Sequence, residues 1–233
     1  MQISAINKFS LIEFPWEISS IVFTPSCNFR CGYCHNSEFV LPEKLKYIYK
    51  KLIIEEAFFN FLENRKWKLT WVSICGWEPT MQSDLKDFCK KIKDMWYKVK
   101  LDTNGRDPQI ISDLINEKLV DYVAMDIKHE VWSFDKIIWV KIDEKPYLET
   151  IKILLNSNID YEFRTTVIKW IHDEKIIENI SKYTSGAKAY YIQNYKSWNT
   201  LDPDFSWKSF SEEELEKFKK IAQNSVKKVE IRN

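Results

Sequence analysis

Short apolar runs recur along the chain, and longer stretches with helical spacing separate them. Strands are predicted over residues 18–24, 69–75, 98–102, 122–126, 161–168 and 187–193. Between them the spacing predicts helices over about 51–65, 83–95, 108–117, 146–156 and 173–183. A last helix is predicted over about 211–225, where Ser211 with Glu214 three residues on forms a capping-box pattern. Residues 3–12 fit a short accessory strand or hairpin. Strand–helix alternation of this kind implies consecutive βαβ units and a parallel sheet. Six units are too few for an eightfold barrel. The expected fold is therefore α/β, a partial (β/α)6 TIM-like barrel with outer helices. No repeat of 20–50 residues, low-complexity tract or Pro/Gly/Ser linker interrupts it. A single domain over 1–233 is expected, with its core at about 16–195, the accessory hairpin at 1–15 and the C-terminal helix at about 211–225.

Barrel chemistry sits at the C-terminal ends of the strands. Unusual polar residues fall there: Cys27 after the first predicted strand, Gly76 to Pro79 after the second, Asp102 to Asn104 after the third and Asp126 to Lys128 after the fourth. Arg164 lies within the fifth and Gln193 ends the sixth. One site on one rim is the expectation.

Composition narrows the function class. The 233 residues are 45% hydrophobic and 30% charged, enough to build a core. Lys and Arg number 35 against 34 Asp and Glu, net +1, which gives no electrostatic case for nucleic acid or an anionic membrane. No apolar run approaches the roughly 20 residues of a membrane span. The first residues lack the basic and apolar regions of a secretory signal, so a cytoplasmic location is expected. Five cysteines, three of them within eight residues, fit metal or redox chemistry better than a disulfide framework.

Those three cysteines are Cys27, Cys31 and Cys34, spaced C-x3-C-x2-C. Thiolates are soft ligands that suit iron–sulfur clusters and zinc. Three of them can hold three irons of a cubane and leave the fourth iron open. The alternative is a Cys3His zinc site with His35 as fourth ligand. His35 is adjacent to Cys34, however, and adjacent residues rarely reach one ion well. A non-catalytic metal-binding module is the corresponding alternative from another function class. Cys75 and Cys89 fall outside any ligand pattern and read as small buried hydrophobes. His129 and His172 read as structural or exposed.

The second strand leads into Cys75-Gly76-Trp77-Glu78-Pro79. The chain holds 10 Trp and only 4 Gly. An ordinary glycine content is about 7%, and Gly and Trp together come to roughly 6%. Several Trp stand where glycine is expected: Trp16 after Pro15 in a turn, Trp96 between a helix and a strand, Trp170 and Trp198 in polar connections. Trp77 and Trp139 belong to the same set. Many of these tryptophans read as glycines, written as Trp because UGA codons were translated in the wrong code.

The cysteine loop after a first strand, with Tyr33 before the last Cys, resembles the radical S-adenosylmethionine (SAM) superfamily. The resemblance implies a [4Fe–4S] cluster on Cys27, Cys31 and Cys34 whose open iron chelates the amino and carboxylate groups of SAM. One electron from that cluster then cleaves the sulfonium and gives a 5′-deoxyadenosyl radical. Cluster and SAM carry the hard chemistry, so no further catalytic side chain is expected. Gly76, Trp77, Glu78 and Pro79 are similar to the family's Gly-Gly-Glu-Pro motif for the methionine amino group, with Trp77 breaking the pattern. Asp102, Thr103 and Asn104, followed by Gly105, resemble a SAM-contacting segment of glycyl-radical activating enzymes. Asp126 and Lys128 face one side of a strand and match an Asp-x-Lys that reaches the cofactor in those enzymes. Arg164 is expected near the same carboxylate, Gln193 near ribose or adenine, and Tyr33 against the adenine.

The run from Asn7 to Pro15, the loop with Cys34-His35-Asn36, the runs 100–105 and 124–128, and Phe163 to Val167 together resemble one subgroup. It is that of anaerobic ribonucleoside-triphosphate reductase activating proteins. The implied reaction removes a hydrogen from a glycine α-carbon of the reductase. The implied partners are that glycyl-radical enzyme and a flavodoxin or ferredoxin electron donor. A pyruvate formate-lyase-type activating enzyme is the nearest alternative, and a small-molecule enzyme such as a 7-carboxy-7-deazaguanine synthase is a further one.

Overall fold

The computed structural model describes residues 1–13, 17–35, 37–141, 143–196, 200–202, 204 and 207–232. Trp16 and Trp198 lie outside the described residues. In chain order the elements are β1 (Ala5–Ser10), β2 (Ser19–Thr24), α1 (Pro42–Ile48), α2 (Glu55–Glu63), β3 (Trp71–Gly76), α3 (Leu85–Asp94) and β4 (Lys98–Thr103). Then come α4 (Pro108–Asn116), β5 (Tyr122–Asp126), α5 (Asp135–Ile138), α6 (Glu144–Leu155), β6 (Asp160–Val167), α7 (Glu174–Tyr183), β7 (Tyr190–Asn194), α8 (Glu212–Gln223) and β8 (Val229–Arg232). Short 3-10 turns lie at Ser37–Phe39, Tyr49–Lys51, Pro79–Met81 and Val131–Ser133.

The chain forms two compact units, interleaved in sequence. The first holds Met1–Asn28, Glu38–Thr103 and Gln109–Val123. Here β1 pairs antiparallel with β2. β2 pairs parallel with β3, and β3 with β4. Parallel strands covered on both faces read as continuous apolar runs. β3 fits, since Trp71, Val72, Ser73 and Ile74 are all buried. α3 buries Leu85, Phe88, Cys89 and Ile92, one stripe at helical spacing. Phe58, Leu62, Phe88 and Ile92 join the strand residues Val22, Val72, Ile74 and Val99 in the core. Each such burial contributes about 1.5–3 kcal/mol.

The second unit holds Phe29–Ser37, Asn104–Pro108 and Ala124–Asn233. β6 pairs parallel with β7, and β7 with β8. α7 turns Ile177 and Ile180 inward, and α8 turns in Leu215, Phe218 and Ala222. The capping box of α8 forms: Glu214 N donates to Ser211 Oγ at 3.3 Å, and Ser211 N to Glu214 Oε2 at 2.7 Å.

The predicted strands match β2 to β7 within a few residues. β8 is an addition, four residues too short to stand out as a periodic run. α1 and α5 are additions for the same reason. Among the described residues no helix is long and apolar enough to cross a membrane.

Candidate functional site

In the first unit, β3 ends in a close backbone approach. Gly76 pairs with Thr24 of β2 and has φ +122. A Cβ on Gly76 would lie 2.4 Å from both the amide nitrogen and the carbonyl oxygen of Thr24, so only glycine fits. Two further bonds continue the junction. Trp77 N donates to Thr24 O at 3.4 Å, and Glu78 N to Ser26 O at 3.0 Å. The loop 76–79 thus braces the backbone that delivers Cys27. Ser26 itself has φ 74, and its amide donates to Phe39 O at 3.1 Å.

Glu78 has no exposed surface. Its Oε1 accepts from Thr80 N at 3.1 Å, Thr80 Oγ1 at 2.7 Å and Thr103 Oγ1 at 2.9 Å. A buried carboxylate needs such donors, and they fix its orientation. The Trp77 indole stacks on the Phe39 ring, centroids 3.9 Å apart and planes 10° from parallel. Asp102 is buried and its Oδ1 lies 3.1 Å from Lys100 Nζ. Lys100, 2% exposed, also pairs with Glu13. The sequence reading missed this Glu13–Lys100–Asp102 chain. Its one local signal was Lys100 standing between the apolar Val99 and Leu101 and two residues from Asp102.

In the second unit the remainder of the cysteine loop is held by backbone on both sides. Arg30 N donates to Ile138 O at 2.8 Å and Gly32 N to Ile137 O at 3.2 Å. Leu201 N donates to Cys34 O, and Asp202 N to Gly32 O, each at 2.9 Å. Cys34 N donates to Cys31 O at 2.9 Å and closes the turn that spaces these two thiols. A Cβ on Gly32 would meet Trp139 at 2.7 Å and Trp207 at 2.8 Å. Tyr33 is buried, its ring edge-on to Trp207 at 6.1 Å, and burial raises its phenol far above the ordinary value. The pinning by residues 137–138 and 201–202 had no sequence signal.

Asp126, Lys128 and Arg164 do converge. Arg164 Nε lies 2.8 Å from Asp126 Oδ1, and Lys128 Nζ 2.8 Å from Oδ2. Burial favours the neutral acid, but the Arg164 and Lys128 cations outweigh it and hold Asp126 down to about 2. Lys128 is raised in turn, burial being outweighed by Asp126. Burial pushes the Cys31 thiol up to about 11, against the pull of Lys128. Asn104 Oδ1 accepts from Arg106 N at 3.1 Å, an Asx turn. Gly105 has φ +77, and a Cβ there would strike the Met125 side chain at 2.2 Å. Gln193 is half-buried in β7, in register with Thr166 and Arg232.

Residues 21–182 match the Radical SAM superfamily. The chain belongs to the radical SAM superfamily. It is 32% identical over 240 residues to a protein of Methanocaldococcus jannaschii named as a glycyl-radical enzyme activating enzyme, covering 99% of this chain and 95% of that one. It is 24% identical to the pyruvate formate-lyase-activating enzyme of Clostridium pasteurianum, covering 94% of each. Among solved structures, SuiB of Streptococcus suis superposes with a TM-score of 0.69 at 14% identity, over 91% of this chain and 49% of that chain. That likeness shows the fold. It bears out the parallel α/β architecture of the radical SAM type and is consistent with a partial barrel.

Radical SAM enzymes use a [4Fe–4S] cluster and SAM, and this chain is one of them. Cys27, Cys31 and Cys34 fit the family's cluster motif, and all three lie outside any disulfide and are half-buried. Soft thiols on a pinned glycine turn suit the cluster's donor set. Among the described residues no three His, Cys, Asp or Glu side chains gather as ligands of a single ion do. The His35 ring packs on Tyr195, centroids 5.5 Å apart. Cys89 is fully buried on α3, as expected, and burial pushes its thiol up to about 12. Cys75 differs from expectation in being half-exposed, because it sits where β3 opens into the loop. His129 and His172 are both buried, rings 5.4 Å apart.

Proposed function

We propose that this radical SAM enzyme is an activase that removes a hydrogen from a glycine α-carbon of a partner and leaves a glycyl radical. The observation that carries this reading is the 32% identity, over 99% of the chain, to a relative named as an activating enzyme of that kind. Cys27, Cys31 and Cys34 hold the cluster. When bound, the cluster supplies the electron that cleaves SAM. Glu78, fixed by Thr80 and Thr103, faces the methionine amino group, with Gly76 and Pro79 shaping the approach. Asp126, Lys128 and Arg164 form a charged set for the methionine carboxylate. Lys128 and Arg164 attract it, and Asp126 fixes both cations so that neither must be ordered when SAM arrives. Asp102, Thr103 and Asn104 line the third strand end, Tyr33 lies against the adenine, and Gln193 contacts the ribose or adenine. The preferred partner is anaerobic ribonucleoside-triphosphate reductase, with a flavodoxin or ferredoxin as electron donor. The similarity to a pyruvate formate-lyase-activating enzyme supports a second reading, with formate-lyase as partner.

Anaerobic reconstitution with iron, sulfide, SAM and dithionite, followed by incubation with each candidate partner, separates the two. The expected result is a glycyl doublet in the electron paramagnetic resonance spectrum of the reductase. A doublet on formate-lyase alone overturns the preferred partner. Cleavage of SAM with no doublet on any glycyl-radical enzyme overturns the activase reading.

A further inference from the structure

The backbone treats several tryptophans as glycines. Six described residues other than glycine have positive φ, and four of them are tryptophan: Trp67 at 69, Trp96 at 73, Trp139 at 51 and Trp170 at 66. A bulky side chain in that region is an outlier, because its Cβ crowds the following carbonyl. Aromatic character is not the cause. The chain has 14 Phe and 11 Tyr, and none of those described has positive φ. Three of the four glycines written as such behave as the tryptophans do: Gly76, Gly105 and Gly186 have φ 122, 77 and 82.

Each of the four sits where the chain reverses and glycine is the ordinary solution. Trp67 is third in the turn closed by Lys68 N on Arg65 O at 2.9 Å. Trp170 is third in the turn closed by Ile171 N on Ile168 O at 3.2 Å. Positive φ at the third position is what makes a turn demand glycine. Trp96 follows Met95, the C-cap of α3, and its amide donates to Lys93 O at 2.9 Å. Trp139 is the left-handed C-cap of α5, its amide on Asp135 O at 3.1 Å. Helices end in this way on glycine. Nor do these indoles build a core. Trp67 is 96% exposed, Trp96 89%, Trp170 67% and Trp139 46%.

Trp77 enters by a different route. It follows Gly76, whose close approach to Thr24 is already at the limit of what backbone allows, and it stands inside the family's Gly-Gly-Glu-Pro loop. Glycine, at 4 of 233 residues, is scarce against an ordinary content of about 7%, while tryptophan numbers 10. One codon connects the two residues. UGA differs from the tryptophan codon UGG in its third base and from the glycine codon GGA in its first.

We infer that residues 67, 77, 96, 139 and 170 are glycine in the native protein, encoded by UGA codons that its cells read as glycine. Residue 77 is then the second glycine of an intact cofactor loop. It presents backbone where the written residue carries an indole stacked on Phe39. Residue 139 being glycine also removes one of the two rings packed against Gly32 in the cluster loop, leaving that of Trp207. The identity of the five residues stands independently of the activity proposed above; only the role given to residue 77 rests on it.

The test is peptide mass spectrometry of the protein purified from the cells that encode it, with the gene read alongside. The expected result is glycine at all five positions, each peptide lighter by the difference between a tryptophan and a glycine residue, over a UGA codon. Tryptophan at any of the five, or a UGG codon at any of them, overturns the inference. Neither readout depends on cluster loading or on a partner, so loss of the activase reading leaves it standing.

Discussion

His172 carries its proton on Nε2 and holds the backbone of Lys128 with it. Nε2 lies 3.0 Å from Lys128 O, and Nδ1 accepts the amide of Ile168 at 3.1 Å. Both ring nitrogens are committed, and a second proton has nowhere to go without breaking the Ile168 bond. Burial, with His129 adding, lowers the imidazole to about 4. The folded state therefore prefers neutral His172. Its contribution to stability is fully present above the unfolded value near 6.5, and it is lost as pH falls from there toward 4. The expected loss is about 3 kcal/mol. Urea unfolding of cluster-free protein across that range measures it. In His172→Gln the slope should flatten; an unchanged slope means another group titrates.

The Asp126 carboxylate is divided between two cations, Arg164 on Oδ1 and Lys128 on Oδ2. Arg164→Ala leaves a largely buried carboxylate with one partner. It should cost about 2 kcal/mol, less than the loss of a sole partner, because Lys128 remains. Affinity for SAM, read by calorimetry on reconstituted enzyme, should fall as well. Arg164→Lys should restore part of the stability, since a lysine carries the charge without the planar fork. An unchanged unfolding midpoint in Arg164→Ala would show that the pair is idle.

Thr103 Oγ1 is one of three donors on Glu78 Oε1. Thr103→Val keeps the shape and removes the donor, so the cost should be about 1–3 kcal/mol of stability. SAM affinity should drop with it, and Thr103→Ser should recover both. Affinity indistinguishable from the parent would separate Glu78 from cofactor binding.

Replacing Cys27, Cys31 or Cys34 by Ala should abolish the visible absorbance of the cluster. Iron should drop from about four per chain, the content of a [4Fe–4S] cluster. Cys75→Ala and Cys89→Ala should retain full iron. Cluster loss in Cys75→Ala would bring that half-exposed thiol into the ligand set.

A chain made with tryptophan at every written position carries strain at residue 96. Trp96→Gly should stabilise it by about 1 kcal/mol, the left-handed penalty less the entropy cost of glycine. Trp96→Ala should gain nothing, because alanine keeps the Cβ. Equal gains from both variants would place the strain in the indole and not in φ.

How much of this was legible beforehand depended on what each residue had to do alone. β2 and β5 were readable from short apolar runs, Ile21-Val22-Phe23 and Val123-Ala124-Met125, each at the centre of its strand. The cysteine spacing was readable because ligands of one cluster must lie close in sequence. Trp96 could be placed at a helix end because it stands between two periodicities. By contrast, the Glu13–Lys100–Asp102 chain joins residues with no local relationship, and Lys100 on its own reads as a solvated charge. The supports of the cysteine turn are backbone amides of Leu201 and Asp202, and amides carry no side-chain signature. Trp67 was opaque in another way, since only φ distinguishes a glycine position in a turn from a polar residue beside it.

The bond from Glu78 N to Ser26 O has a consequence for how such a protein changes over time. Two motifs distant in the chain share one strut, and it ends a single residue before Cys27. A shift in the second loop moves the first ligand with it. An insertion or deletion in either stretch therefore strains the other, because the strut fixes the distance between them.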